Sequence, residues 1–410
     1  MPRRRLRESG PTLFVTELLP EFASTQEEIR RAVQRNAVQR GQFFALNLAR
    51  LGFDQILDQI EAIARDTDPE IWREVADRLG IDPRALDVLD HIPVRYPYYF
   101  CDPTQLTQSP SLVAYYRNVA MVSAKVMRGI GLDTMPHEVG QALPNDKAKQ
   151  LAIYFNGTVS ALITQNPSLV TGRRHIEMVF ANLGESIGGS WRNEVGRLAY
   201  AEVIGNLLRH LHSKGCLSTV VYDLKGPLAV EAEDDEEAFV ARDNLLTSGE
   251  DFLGRLEETG ANRVVYKTIS LRNGNELRLN RQIEWIDREG TSYKIGPDLS
   301  AISPGEVFTW GSELKGGADP AGSDEHWKTA TRAFERILNA AEKTDRIKPK
   351  LSFIATILVD RVAREAALWI QQGKLTSAYN LTQIAESVEK REAFLSDLAG
   401  FLGCSEHPSH

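Results

Sequence analysis

The sequence predicts an α+β fold, in which a helical N-terminal region precedes a mixed sheet flanked by helices. Through the first 150 residues, apolar residues recur at helical spacing. From Arg263 onward the apolar period changes to two, which is typical of strands. The chain has 410 residues, too many for one compact core, so we expect two domains, residues 1–150 and 151–410.

The N-terminal region carries helix signals and one irregular connector. Thr25 followed three residues later by Glu28 is a capping box, which predicts a helix start. Apolar residues continue at helical spacing over 44–63, and Pro110 fits the first turn of a further helix. Between them, residues 91–101 contain two prolines and four aromatic residues. We interpret this stretch as an irregular connector whose aromatic rings pack in the core.

Two features lie between this region and the first predicted strand. A helix is predicted from Ser190 to Leu211, with Ser190 as its N-cap after Gly188 and Gly189. Residues 231–258 are strongly acidic and poor in strand formers, which favours a solvated loop.

The strands follow as alternating segments separated by turn residues. Asn273-Gly274 is a strong hairpin signal between two such segments. A second turn is predicted at residues 287–290, and a helix from Ser323. The predicted strands are Val264–Leu271, Glu276–Ile283, Ile283–Ile286, Tyr293–Leu299, Glu306–Lys315 and Leu351–Val359.

Composition limits the classes of protein that the chain can belong to. The longest apolar runs are far below the ~18–20 residues of a membrane span. The basic N-terminus is followed by no hydrophobic segment, so we expect no secretory signal. Cys101, Cys216 and Cys404 are odd in number and far apart, which argues against a disulfide framework and a cysteine-rich zinc site. We therefore expect a cytoplasmic protein.

One group of residues has the side chains and spacing of a candidate catalytic site. Asp298 follows a proline, and Glu313-Leu314-Lys315 comes fifteen residues later. On a strand, residues i and i+2 share a face, so Glu313 and Lys315 point the same way and Leu314 points into the core. If the preceding strand ends at Asp298, two carboxylates meet beside an ammonium group. Such a pair suits Mg²⁺, with the Leu314 carbonyl as a further oxygen ligand.

This constellation is suited to hydrolysis of a phosphodiester. A bound Mg²⁺ polarises a phosphoryl oxygen and favours attack by hydroxide. Lys315 would hold the attacking water and offset charge on the phosphate. The alternative from the residues alone is a pair of surface salt bridges on an antiparallel sheet.

Pro297-Asp298…Glu313-Leu314-Lys315 resembles the PD-(D/E)xK nuclease motif, and the order of elements resembles the core of that superfamily. The run from Glu313 to Ala330 further resembles type II restriction endonucleases of the AvaI/BsoBI-like group. The resemblance covers about residues 190–360. In that group a histidine on the helix after the motif lies near the scissile phosphate, and His326 stands at the matching place. The resemblance thus implies catalytic roles for Asp298, Glu313, Lys315 and His326, and metal binding by Asp298, Glu313 and Leu314.

Three assignments keep alternatives. The gap between Asp298 and Glu313 is shorter than expected for the AvaI/BsoBI-like group, so Asp287 is a reserve candidate for the first carboxylate. His326, in the first turn of its helix, has solvent exposure as its default interpretation. Glu202 is a second-tier metal-site candidate, whose apolar surroundings on the predicted helix equally indicate a structural ion pair.

The resemblance implies a Mg²⁺-dependent, sequence-specific endonuclease that cuts double-stranded DNA. A palindromic site would require a homodimer, and a cognate methyltransferase would be expected in the same cell. The rival hypotheses are a repair or structure-selective nuclease, an inactive DNA-binding protein of the same fold, and a helical interaction protein with an accidental motif.

The net charge of −8 seems to argue against a DNA partner. Residues 231–258, however, contain eleven acidic and two basic residues, so the rest of the chain carries a net charge of +1. Residues 328–350 carry seven basic and three acidic residues. A locally basic DNA-binding cleft is therefore compatible with the sequence.

Overall fold

The computed structural model describes residues 19–224, 242–259 and 264–404. The chain divides into two compact units. Of the described residues, Val38–Glu194 form the first, here called the helical unit, and the others form the second, the sheet unit. The assignment of catalysis to a domain spanning residues 151–410 stays a prediction.

The helical unit contains short helices that begin at recognisable caps. Asp-Pro dipeptides start three of them: the carboxylates of Asp68, Asp82 and Asp102 each accept a hydrogen bond from a free backbone N–H in the first turn. Helices α1 and α10 are divided between the two units. In the described part of the chain, the α-helices before the first strand are α1 (Gln26–Arg50), α2 (Phe53–Asp66), α3 (Pro69–Val75), α4 (Pro83–Asp90), α5 (Pro103–Gln108), α6 (Leu112–Val119), α7 (Ala124–Gly129), α8 (Met135–Glu138), α9 (Asn145–Gln165) and α10 (Arg174–Ser213).

The aromatic connector lies in the core of the helical unit, as the sequence predicts. Tyr99 and Phe100 are almost fully buried. The hydroxyl of Tyr115 donates to the carbonyl of Tyr98 at 3.0 Å, and that of Tyr116 donates to Pro97 at 2.9 Å. The rings of the connector thus lie in the core, and the hydroxyls of Tyr115 and Tyr116 on the neighbouring helix satisfy its irregular backbone.

The sheet unit is built on one eight-stranded mixed sheet, in the order β10-β9-β8-β7-β4-β3-β1-β2. The strands β8, β9 and β10 are parallel and the remaining neighbours are antiparallel. Strands β5 and β6 form a separate hairpin. The strands are β1 (Leu217–Leu224), β2 (Arg242–Ser248), β3 (Val264–Leu271), β4 (Glu276–Leu279), β5 (Ile283–Ile286), β6 (Ser292–Ile295), β7 (Leu299–Ser303), β8 (Val307–Lys315), β9 (Lys350–Ala355) and β10 (Ser377–Asn380).

Helices cover both faces of this sheet. One face packs against α10 and the C-terminal helix, through residues that include Val203, Leu207, Trp310, Leu314 and Leu398. The other packs against the two helices that flank β9, through residues that include Trp327, Phe334, Phe353 and Val362. The helices of this region are α11 (Gly249–Thr259), α12 (Ser323–Lys343), α13 (Asp360–Gln371), α14 (Leu381–Glu386) and α15 (Val388–Phe401). The predicted mixed sheet flanked by helices, with a helical N-terminal region, is confirmed.

Several local predictions are confirmed. The capping box is present: the backbone N–H of Thr25 donates to Glu28 Oε2 at 2.8 Å, and that of Glu28 donates to Thr25 Oγ1 at 3.2 Å. Strands β3 and β4 form the predicted hairpin, and Gly274 takes the positive φ of 83° that its turn requires.

Three local predictions are wrong. The predicted strand Tyr293–Leu299 is divided between β6, in the separate hairpin, and β7, in the eight-stranded sheet. Helix α10 begins at Arg174 instead of Ser190, because Gly188 and Gly189 continue the helix instead of interrupting it. The predicted loop over residues 231–258 instead contains β2, since pairing with β1 overrides the weak strand propensity, and most of α11, which ends at Thr259. Its most acidic part, residues 231–241, lies outside the described residues.

The cysteine prediction is also wrong for one pair. Cys216 and Cys404 form a disulfide, with their Cα atoms 6.0 Å apart, although 188 positions separate them. The side chains of Asn273 and Asn275 donate to the Leu402 carbonyl at 3.1 and 2.8 Å, which holds the C-terminal segment beside the β3–β4 hairpin. Over the described ranges, no helix has the length and apolarity needed to cross a membrane.

Candidate active site

The pairing of β7 with β8 brings the predicted carboxylates together. Asp298 directly precedes β7, and Glu313 and Lys315 lie in the last three residues of β8. The two strands are antiparallel, with Leu299 opposite Ser312, so the start of one lies beside the end of the other. Asp298 therefore opens a strand, whereas the sequence predicts that it closes one.

Lys315 joins the two carboxylates. Its Nζ lies 3.2 Å from Asp298 Oδ2 and 2.7 Å from Glu313 Oε2. The backbone N–H of Leu314 donates to the same Oδ2 of Asp298 at 2.7 Å, which fixes that carboxylate against β8. The Leu314 side chain is buried in the core on the opposite face, as predicted.

Burial gives these groups unusual acidities. Glu313 is only 4% exposed. Desolvation, followed by the negative charge of Asp298, raises the pKa of Glu313 to about 7, against the opposing effect of Lys315. For Lys315, burial favours loss of the proton, but the charges of Asp298 and Glu313 outweigh it and raise the pKa of its ammonium group. Lys315 is therefore a charged hydrogen-bond donor at neutral pH.

The parallel partner of β8 holds this end of the strand in place. Lys315 pairs with Ala355 in β9, and the backbone N–H of Thr356 donates to the Lys315 carbonyl at 3.0 Å. The Thr356 hydroxyl donates to the Gly316 carbonyl at 2.9 Å. The side chains of the candidate site thus project from a rigid central strand, which favours precise positioning.

Two glycines after β8 permit close packing around the site. A Cβ on Gly316 would lie 2.5 Å from the carbonyl oxygen of Val195, so the loop can approach α10 only with glycine there. A Cβ on Gly317 would lie 2.7 Å from Cε1 of His326. These contacts seat the imidazole of His326 against the loop that follows Lys315.

His326 is half-buried in the first turn of α12 instead of fully solvent-exposed. Burial, and then the positive charge of Lys315, lowers the pKa of its imidazole. The side chain is therefore neutral at pH 7 and able to accept a proton. Helix α12 begins at Ser323, which is buried within the first turn, and Gly322 is the N-cap.

Two residues that border the site were not predicted from the sequence. Tyr200 on α10 donates from its hydroxyl to Oδ1 of Asn280 at 3.2 Å, and the backbone N–H of Asn280 donates to the Asp298 carbonyl at 2.9 Å. Burial, and then the charge of Asp298, raises the pKa of the Tyr200 phenol. Neither residue belongs to a recognisable motif, so only the tertiary structure identifies them.

The two reserve candidates lie in other surroundings. Asp287 closes the β5–β6 turn, where its carboxylate accepts from the backbone N–H groups of Glu289 and Thr291, both at 2.9 Å. Glu202 is exposed on α10, in contrast to the apolar surroundings that the sequence indicates. The hydrogen bonds of Asp287 account for that residue as a turn-forming aspartate.

The donor atoms at the end of β8 fit a hard divalent cation. Asp298 and Glu313 offer carboxylate oxygens on one side of the sheet, and Mg²⁺ typically takes one or two carboxylates and completes its shell with water. Among the residues that the structure describes, no group of three or more histidine, cysteine, aspartate or glutamate side chains forms a larger metal cluster.

Comparison with known proteins supports the resemblance seen in the sequence. Residues 298–394 match the family model described as restriction endonuclease BsobI. The type II restriction enzyme AvaI of Nostoc sp. is 32% identical over 203 residues, which are 49% of this chain and 58% of that enzyme. AvaI of Anabaena variabilis gives the same values. The type II restriction enzyme BsoBI of Geobacillus stearothermophilus is 46% identical over 71 residues, 17% of this chain and 22% of that enzyme.

These matches confirm the resemblance to the AvaI/BsoBI-like group. The matched region spans 58% of the length of the AvaI enzymes. The family match begins at Asp298 and includes Glu313, Lys315 and His326, so the residues of the candidate active site all lie within it.

Proposed function

We propose that this chain, which resembles the AvaI/BsoBI-like group over its catalytic residues, is a type II restriction endonuclease that hydrolyses double-stranded DNA at a specific site. The observation that carries the proposal is the convergence of Asp298, Glu313 and Lys315 at the paired ends of β7 and β8. The family match over residues 298–394 includes these three residues, which supports the proposal.

Each residue has a distinct role in the proposed mechanism. Asp298 and Glu313 would hold Mg²⁺, with the Leu314 carbonyl as an additional oxygen ligand. When bound, the ion would supply Lewis-acid stabilisation of the phosphoryl oxygens. Lys315, kept protonated by its two carboxylates, would donate its remaining N–H to the attacking water, and its positive charge would offset the charge of the scissile phosphate. It does not act as the base.

His326 supplies the proton acceptor that Lys315 does not. Because burial and Lys315 keep its imidazole neutral, His326 accepts a proton from the attacking water or holds that water in line with the phosphate. Because Gly317 has no side chain, the imidazole can lie against the loop that follows Lys315.

A palindromic recognition site would be cut by a homodimer with one active site for each strand. A cell that contains such an enzyme must protect its own DNA, so we include a cognate DNA methyltransferase and a cytoplasmic location in the proposal. Light scattering of the purified chain, alone and with DNA, measures the oligomeric state; a monomer in both conditions would contradict the dimer.

Cleavage by matched variants tests the proposal. We expect Glu313→Ala and Lys315→Ala to abolish cleavage of phage DNA in Mg²⁺ while DNA binding is largely retained. The exposed residues Glu389 and Lys374 provide controls, since Glu389→Ala and Lys374→Ala remove the same charges elsewhere. Full activity of either site variant would overturn the catalytic assignment.

The products distinguish the proposed enzyme from its rival with the same fold. Discrete plasmid fragments with uniform ends are expected from a site-specific enzyme. A smear, or cutting confined to branched DNA, would instead favour a repair or structure-selective nuclease. Mapping the ends gives the recognition site and the cut position.

A further inference from the structure

A polar pocket lies beside Asp298 in the sheet unit. It has a volume of about 340 Å³ and is lined by the segment after β4, by β6 and the residue that follows it, and by α12. That volume is at the small end of the range for ligand sites. The lining residues are Asn280, Arg281, Gln282, Lys294, Ile295, Gly296, Ala333 and Arg336.

The wall of this pocket is hydrogen-bonded to the main chain of Asp298. Asn280, in its wall, donates its backbone N–H to the Asp298 carbonyl at 2.9 Å. Gly296, on the other side, precedes Asp298 by two residues. A group in the pocket is therefore held close to any phosphate bound at Asp298 and Glu313.

The charge of the pocket is positive. Arg281, Lys294 and Arg336 are exposed side chains, and the residues that line the pocket within the described part of the chain include no acidic one. The Nε of Arg336 donates to the carbonyl of Arg332 at 3.3 Å, which directs the guanidinium along α12. The nearest acid along the hairpin ladder, Glu284 opposite Lys294, accepts from the Ser292 hydroxyl.

We propose that this pocket binds a backbone phosphate of the DNA, next to the scissile phosphate on the same strand. The inference rests on the proposed function and adds a second phosphate site to it. Three cations in an open polar pocket neutralise a phosphodiester and release its counterions. A phosphate held there positions the neighbouring one over Asp298 and Glu313, since successive phosphates of one strand are linked through a single sugar.

The side chains favour a phosphate over a base edge. Lys294 is a point charge on a flexible stem, and the three cations approach the pocket from separate elements. Arginine forks and the amides of Asn280 and Gln282 can also read base edges, and such reading would alter the cleavage sites. Ile295 and Ala333 supply apolar surface, against which the deoxyribose can pack.

Binding by charge-removing variants tests the pocket. Arg281→Gln, Lys294→Gln and Arg336→Gln, made singly and together, are compared with the full wild-type chain on a short duplex that carries the mapped cleavage site, in EDTA. We expect the triple variant to bind more weakly and its slope of log affinity against log salt to be shallower by about 0.9 for each phosphate that the protein no longer neutralises. Arg272→Gln, which removes one exposed charge in the turn directly after β3, is the control for the single variants and should leave both quantities unchanged.

A neutral methylphosphonate, placed at each position in turn, identifies the contacted phosphate. The wild type should bind more weakly when the phosphate flanking the cut site is neutral, whereas the affinity of the triple variant should not fall further there. If the triple variant keeps the wild-type salt slope while the wild type cleaves normally, the pocket assignment is wrong and the proposed function stands. If the variants cut at altered sites, the pocket reads bases, and the assignment of the pocket to a phosphate is also wrong. A wild type that neither binds nor cuts DNA would refute the proposed function itself.

Discussion

Glu313 combines an almost complete burial with a position between a second carboxylate and an ammonium group. The desolvation of its charge, together with Asp298, raises its pKa to about 7, although Lys315 lies 2.7 Å away. Such a carboxylate binds a proton and a metal ion in competition, because both occupy the same oxygens. This property links the acidity of one residue to the metal dependence of the proposed reaction.

The first prediction concerns activity at acidic pH. As pH falls below about 7, Glu313 gains a proton, so cleavage should decline. Raising the Mg²⁺ concentration should move this decline to lower pH, since the cation displaces the proton. Initial cleavage rates, measured from about pH 5.5 to about pH 8.5 at several Mg²⁺ concentrations, check this. If the decline occurs at the same pH at every Mg²⁺ concentration, a group other than Glu313 causes it.

The same residue predicts a pH dependence of stability without metal. The pKa of Glu313 is raised in the folded state, so its contribution to stability is complete below the ordinary value of 4.5 and is lost as pH rises through about 7. Glu313→Gln removes the charge, and the variant should unfold at a higher temperature than the wild type at about pH 8 in EDTA. The difference should shrink towards pH 4.5. If Glu313→Gln is instead less stable than the wild type under the alkaline condition, the attraction between Lys315 and the Glu313 carboxylate outweighs the cost of burying that charge.

At the scale of elements, the loop that follows β8 can approach α10 and α12 closely because two of its residues are glycines. Gly316 lies against the backbone of α10, and Gly317 lies against the imidazole of His326. A backbone atom cannot move without its helix, whereas an imidazole ring can rotate away. The two glycines therefore have different consequences when replaced.

Substitution of these glycines gives separable results. Gly316→Ala should reduce stability by about 1–3 kcal/mol in chemical denaturation, the usual cost of overpacking. Gly317→Ala should instead displace His326 and lower the cleavage rate with little change in stability. Gly400→Ala in α15 is the matched control, because a Cβ there meets nothing within 4 Å. Equal losses of stability for Gly316→Ala and Gly400→Ala would contradict this interpretation.

At the scale of the whole molecule, the disulfide ties the residue before β1 to the segment after α15. A crosslink across 188 positions restricts the unfolded chain much more than the folded one. Cys101, by contrast, is buried and free, and burial raises the pKa of its thiol.

Thiol titration checks the pairing. The unreduced chain, denatured, should show one reactive thiol, and the reduced chain three. Reduction, or Cys216→Ser, should lower the free energy of unfolding by about 2–5 kcal/mol. Cys101→Ser should leave one disulfide and no reactive thiol. Three thiols in a chain purified without reductant would contradict the bond.

The distribution of charge is also a property of the whole molecule. The net charge of −8 describes the chain as a whole, while Arg281, Lys294 and Arg336 gather beside Asp298. Total charge sets solubility, and local charge sets binding. An acidic protein can therefore present a positive pocket next to the carboxylates of its candidate active site.

Local sequence patterns determined much of this protein. The capping box at Thr25, the Asn273-Gly274 hairpin and the alternation along β8 depend on interactions between near neighbours, so their residues alone predict them. The spacing of Glu313 and Lys315 likewise places them on one face of a strand.

Only the tertiary structure decided which distant residues meet. Asp298 reaches Lys315 through the antiparallel register of β7 and β8, and Tyr200 reaches Asn280 across 80 positions of the chain. The Cys216–Cys404 bond and the positive pocket arise in the same way. Contacts of this kind are fixed by the packing of whole elements, which depends on burial summed over the entire core, and no local spacing in the sequence records that sum.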